Sequence, residues 1–174
     1  MLMQKIGERL RPLQKKRGKP FTRRIMAKNR VFLDSSVLIT AVLSSKGGSF
    51  YILTQLNDIC EFQINEYVLE EVQRILGSKF SSAPDLKTKL FLILGSAGVR
   101  ICSNQSIKDV RIFAKIINKE DAPILASAIK YSSYLLTLDN DFFQEKVLYF
   151  ARKRGLAIVK PKEFINRFQR YAER

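Results

Sequence analysis

Histidine and tryptophan are absent from all 174 residues, and cysteine occurs only at Cys60 and Cys102. Without histidine there can be no Ser-His-Asp or Cys-His triad, no imidazole acid–base pair, no HExxH zinc site and no His-ligated haem. Two cysteines alone neither close a zinc site nor build a disulfide framework, and such sparing use fits a reducing, cytoplasmic setting. Long apolar runs are also lacking. The longest candidate, 90–94, ends at Gly95, far short of the ~18 residues that cross a bilayer, so no membrane partner is expected. Acid is scarce: 16 Asp and Glu stand against 31 Lys and Arg, a net charge of +15. Any catalysis must then rest on carboxylates, hydroxyls, lysines or a metal held by oxygen, and the charge imbalance points to a polyanion, nucleic acid before an anionic membrane surface.

The basic excess is concentrated at one end. Residues 1–30 hold eleven Lys and Arg against Glu8 alone, together with Pro12, Gly18 and Pro20, and show no sustained apolar period. Such a segment cannot bury enough surface to offset the entropy of ordering itself, so the chain divides into a basic N-terminal arm, 1–30, and a folded domain, 31–174. An electrostatic RNA or DNA tether, an organelle transit peptide, an upstream extension before an internal start at Met26 and a plain solvated tail all remain open for the arm. A secretory signal is disfavoured, because no apolar core follows the charges.

From Val31 onward short β-prone runs alternate with helical ones, the pattern of an α/β domain with a parallel sheet. Strands are expected at 31–34, 60–64, 98–102, 134–137 and 156–159. Helices are expected at 36–44, 49–57, 66–76, 85–94, 107–117, 122–131, 142–154 and 162–172, with Ser49, Asn65 and Asp141 as N-caps. In such sheets ligands sit beyond the carboxyl ends of the strands, and the residues there are acids: Asp34 after the first strand, Asp139 and Asp141 after the fourth. Helical phase adds two more. At ~100° per residue Glu71 borders the stripe of Val68, Leu69, Val72, Ile75 and Leu76 while Glu70 faces water, and Asp121 heads the face of Ile124, Leu125, Ala128 and Ile129.

Each acid singly has an ordinary explanation as a helix cap or turn former. Gathered at one sheet end, however, Asp34, Glu71, Asp121 and Asp139 would repel one another unless protons or a cation neutralised them. An all-oxygen site suits Mg²⁺ or Mn²⁺, one ion or two, with substrate phosphate oxygens as further ligands. Such ions generate a hydroxide-like nucleophile, align it for in-line attack on phosphorus and stabilise the departing 3′ oxygen, so phosphodiester hydrolysis is the expected chemistry.

Four segments in order carry a family resemblance: Val31-Phe32-Leu33-Asp34-Ser35-Ser36-Val37-Leu38; Val68-Leu69-Glu70-Glu71-Val72; Glu120-Asp121 leading into Ile124-Leu125-Ala126-Ser127-Ala128; and Leu136-Thr137-Leu138-Asp139-Asn140-Asp141-Phe142. Over about residues 31–168 the chain resembles the PIN-domain nucleases, VapC-like toxins among them. The resemblance implies a three-layer α/β/α fold on a five-stranded parallel sheet and a metal-dependent endoribonuclease acting on single-stranded RNA. It implies Asp34, Glu71, Asp121 and Asp139 as the catalytic, metal-binding acids, Asp141 as an auxiliary ligand, and Thr137 as a supporting hydroxyl. Ser36 stands where many members have asparagine, and its hydroxyl reaches less far. The family also sets a homodimer and an antitoxin partner as expectations, should the chain be the toxin of a toxin–antitoxin pair.

Lys46, Lys130 and the arm are candidates for guiding the RNA backbone, or ordinary solvated surface. The alternative is a noncatalytic PIN-fold module that binds RNA or the ribosome. A flap-processing DNA nuclease would bring more acids and a longer helical region than this chain has.

Overall fold

The structure, a computed structural model, describes residues 27–172. The four readings of the basic arm therefore fall, for residues 1–26, outside the described residues. The last part of that segment belongs to the fold. The first strand, β1 (Asn29–Leu33), begins two residues before the expected boundary, because Asn29 N–H donates to the Ile59 carbonyl at 3.0 Å and the Lys28 ammonium to the Asn57 carbonyl at 2.7 Å.

Four further strands follow, β2 (Cys60–Asn65), β3 (Arg100–Cys102), β4 (Tyr134–Leu136) and β5 (Ala157–Val159). All are parallel and lie in the order β3-β2-β1-β4-β5, which makes the sheet the expected five-stranded one. The helices are α1 (Ser35–Leu43), α2 (Gly48–Gln55), α3 (Glu66–Lys79), α4 (Asp85–Ser96), α5 (Ile107–Phe113), α6 (Ala122–Tyr131), α7 (Glu145–Arg152) and α8 (Pro161–Ala172). α1 packs with α2, α3 and α4, and α2 with α8, while α5 packs on α6 and α7 lies against β5, giving the PIN-like three-layer α/β/α arrangement. Val31, Phe32 and Leu33 of central β1 are fully buried, as strands covered on both faces must be, and this explains why the segment reads as a continuous apolar run. Among the described residues no single helix is long and apolar enough to cross a membrane.

Local chemistry moved several boundaries. Ser49 is not a cap: α2 starts at Gly48 with extended Gly47 before it, and the buried Ser49 hydroxyl pairs with Thr40 Oγ1 at 2.8 Å, tying α2 to α1. Asp141 does not cap a helix at 142 either. Asp139 accepts from the Asp141 N–H at 2.9 Å and winds Asn140–Phe143 into a 3-10 turn; extended Gln144 then breaks the chain before α7. Asn65 caps α3 as expected, accepting from Val68 N–H at 2.9 Å. Gly155, at φ +76, sits in the tight turn between α7 and β5, a left-handed conformation that glycine adopts without penalty.

α8 is pinned through aromatic contacts. Phe164 is fully buried, edge-on to Tyr134 of β4 at 5.4 Å and tilted against Phe168 at 4.4 Å. Phe164→Ala removes the ring and leaves a cavity under α8. A loss of roughly 3–5 kcal/mol in unfolding free energy, read from urea denaturation, is the expected result.

Candidate functional site

The strand order turns at β1: β2 and β3 lie on one side, β4 and β5 on the other. Adjacent strands β1 and β4 therefore deliver the residues beyond their carboxyl ends into one crevice, the usual position of a ligand site in an open parallel sheet. Asp34 leaves β1 there, its N–H bonded to the Leu136 carbonyl at 3.0 Å. Only 3% of it is exposed.

Four donors hold the Asp34 carboxylate. Oδ1 accepts from the Ser35 N–H at 2.8 Å, which caps α1, and from the Ser35 hydroxyl at 3.4 Å; Oδ2 accepts from Thr137 Oγ1 at 2.8 Å and from the Ser36 hydroxyl. The two hydroxyls on Oδ2 also accept. Ser36 Oγ takes the Leu138 N–H at 3.0 Å, and Thr137 Oγ1 takes the Asp139 N–H at 2.9 Å. Ser36 and Thr137 thereby lock the loop after β4 onto the end of β1. Burial pushes the Asp34 carboxyl above its ordinary value, the bonds from Ser36, Thr137 and Ser35 oppose that, and the nearby charge of Asp139 adds to it.

Asp121, at the start of α6, stands across from these residues. Its carboxyl is raised from 3.8 to about 6, chiefly by burial; Asn118 opposes the rise, while Asp139, Asp34 and Asp141 add to it. The charges of Asp139, Asp34 and Asp141 thus all act on Asp121, and that of Asp139 acts on Asp34 as well. Asn118 was not anticipated. Its Nδ2 donates to Asp121 Oδ2 at 2.7 Å and to Asp141 Oδ2 at 3.0 Å, and its Oδ1 accepts from the N–H groups of Glu120 and Asp121 at 3.0 and 2.9 Å. The signal was present as an asparagine three residues before Asp121, the spacing at which an Asn side chain closes its own turn. Gln144 adds a bond to Asp141 Oδ1 at 3.3 Å, and the Lys160 ammonium reaches Asn140 Oδ1 at 3.2 Å.

Glu71 is half-buried and Glu70 exposed, as helix phase requires. The charge of Glu71 registers on Tyr67, one turn earlier in α3, whose phenol is raised by burial and then by Glu71, Glu120 and Asp121. Arg74 opposes that rise. Among the described residues no group of three acidic or thiol side chains could hold a metal ion as the side chains now stand. The two lysines lie apart from the acids. Lys130 is at the far end of α6, roughly 14 Å along the helix from Asp121, and rests over the Tyr131 ring at 5.2 Å. Lys46 is exposed in the loop beyond α1, a helix that runs away from Asp34 for roughly 13 Å.

The molecule is a parallel α/β domain whose carboxylates collect where the strand order reverses. The PIN domain family model matches residues 31–147, and the chain belongs to that family. Among solved structures it is similar in fold to VapBC2 from Rickettsia felis bound to a DNA fragment from their promoter, at 19% identity and a TM-score of 0.56, over 75% of this chain and 98% of that one. It is likewise similar to PAE2754 from Pyrobaculum aerophilum, at 17% identity and a TM-score of 0.56, over 81% of this chain and 90% of that one. No curated protein matches the chain.

The raised Asp121 carboxyl has a consequence for stability. Its folded pKa, about 6, lies above its ordinary 3.8, so the folded state holds the extra proton between those values. Stability from this group is intact below pH 3.8 and is lost as pH rises through about 6. Discounted for its partial exposure, the loss is about 1–2 kcal/mol. In EDTA, Asp121→Asn should therefore stabilise the protein by about that amount at pH 7, with the gain vanishing towards pH 4 in denaturant titrations.

Proposed function

We propose that the protein is a metal-dependent endoribonuclease that hydrolyses phosphodiester bonds of single-stranded RNA in the cytoplasm. One observation carries the reading: beyond the carboxyl ends of β1 and β4 in a PIN domain, a family whose members are generally nucleases, the charges of Asp139, Asp34 and Asp141 all act on Asp121, and none of the four has a basic ion-pair partner among the described residues. The donor set suits Mg²⁺ or Mn²⁺. Such an ion needs only one or two carboxylates, completing its shell with waters and substrate phosphate, so a closed cage of three acids is not required. Asp34, Glu71, Asp121 and Asp139, with Asp141, would hold one or two ions. A bound ion supplies Lewis-acid polarisation of a phosphate oxygen and an activated water.

The chain's own residues do the rest. Ser36 and Thr137 both direct a hydroxyl proton at Asp34 Oδ2 and so hold the carboxylate in one orientation at the end of β1. Asn118 sets the spacing of Asp121 and Asp141. Lys46, Lys130 and the basic residues of the N-terminal segment would draw in the RNA backbone, with an affinity that falls as salt rises. The toxin role in a toxin–antitoxin pair, an antitoxin partner and a homodimer belong to the same proposal; a solved relative in fold is the VapBC2 complex. A second reading, a noncatalytic PIN-fold module that binds RNA or the ribosome, is favoured by one fact: among the described residues no three acids are clustered for an ion at present.

Single-stranded RNA and matched DNA incubated with the purified protein in Mn²⁺, Mg²⁺ or EDTA decide between the two. The expected outcome is metal-dependent cleavage of RNA leaving 5′-phosphate and 3′-hydroxyl ends, reduced about 10²-fold or more in Asp34→Asn. Cleavage that persists in that variant removes the acids from the mechanism, and RNA binding with no cleavage in any condition selects the noncatalytic module. Thr137→Val should keep the fold yet raise the Mn²⁺ concentration for half-maximal cleavage by about tenfold, because one bond orienting Asp34 is gone.

A further inference from the structure

A groove lies away from the acids, on the outer edge of the sheet. β5 has a neighbour, β4, on one side only. Ala157 N–H donates to the Ser133 carbonyl at 2.9 Å, and the Val159 carbonyl accepts from Thr137 N–H at 3.3 Å, so residues 157 and 159 turn their peptide groups towards β4. Alternation along the strand then turns both the N–H and the C=O of Ile158 outward. Neither has a partner among the described residues, and the same holds for the Leu156 carbonyl and the Lys160 N–H on either side. A groove of about 370 Å³ follows this edge, lined by the chain from Gly155 to Val159 and walled by Leu148 and Arg152 of α7 and Arg167 of α8. Both arginines are exposed, and neither meets a carboxylate among the described residues.

We propose that β5 is a docking edge for an extended acidic segment of a partner polypeptide, which adds as a sixth strand and sets its carboxylates on Arg152 and Arg167. Charge and hydrogen-bond pattern select this occupant. The N-terminal residues of the same chain carry eleven basic groups against one acid and would be repelled by the two arginines. A second copy paired β5 to β5 would bring four arginines together. A phosphate backbone could meet the arginines, but it offers no alternating N–H and C=O row to match Ile158. An extended peptide offers that row from its main chain and supplies carboxylates from its side chains. The inference is independent of the proposed cleavage, since it uses none of the residues of the crevice.

Fluorescence anisotropy on the full chain tests it with four probes: an eight-residue peptide of alternating Val and Glu, the same peptide N-methylated at its four central amides, a Val–Lys counterpart, and octauridylate. The expected result is binding of the Val–Glu peptide that weakens about tenfold or more on N-methylation and in the Arg152→Glu/Arg167→Glu double variant, with no binding of the Val–Lys peptide. Binding that is unchanged in Asp34→Asn keeps this outcome separate from the fate of the nuclease reading. An unaltered melting temperature in the double variant confirms that charge, not folding, was removed. Equal binding of the N-methylated peptide, no binding of the Val–Glu peptide, or octauridylate binding that alone depends on the two arginines would each overturn the proposal.

Discussion

A carboxylate withdrawn from water at the end of the central strand organises this molecule. Asp34 is nearly inaccessible, and an ion in that position is tolerated only if its oxygens are fully engaged. The donors come from two separate parts of the chain: the first turn of α1, through Ser35 and Ser36, and the end of β4, through Thr137. Satisfying one buried charge therefore caps a helix, joins two adjacent strands beyond their ladder and fixes the loop that carries Asp139. Removing either hydroxyl would leave the charge under-coordinated and free the loop it anchors.

Crowding of like charge is the second constraint. Asp121, Asp139 and Asp141 approach Asp34 from a helix start and a 3-10 turn, and their neighbouring charges add to the rise that burial imposes on the Asp121 carboxyl. A neutral amide sits in the gap. Asn118 bridges two of the acids without cancelling their charge, so the crevice keeps both its negative potential and a defined spacing. Tyr67 lies on the side towards Glu71, where α3 meets α6.

Layer order and strand direction were legible because they follow from runs long enough to bury. Val31, Phe32 and Leu33 announce a strand covered on both faces, and α6 begins and ends at the residues its apolar spacing selects. Helix phase alone separated Glu71 from Glu70. Finer features depended on partners distant in the chain. Asn29 joins β1 because Ile59 offers a carbonyl, Ser49 abandons its cap because Thr40 lies within reach, and α7 starts late because Asp139 captures the Asp141 amide first. Lys46 and Lys130 look equivalent to any other basic residue in the sequence; only the direction in which α1 and α6 run shows that they lie far from the acids.

The two margins of the sheet are unlike. On β3, Arg100 makes an ion pair with Glu61 of β2 at 2.6 Å, and a strand headed by a charged side chain is less suited to accept another chain. β5 is the receptive margin. A sheet that carries charge at one margin and an open peptide row at the other lengthens by addition at the open side, while the charged side disfavours propagation. Recruitment along it therefore ends in a closed stoichiometric pair and not in a growing fibre.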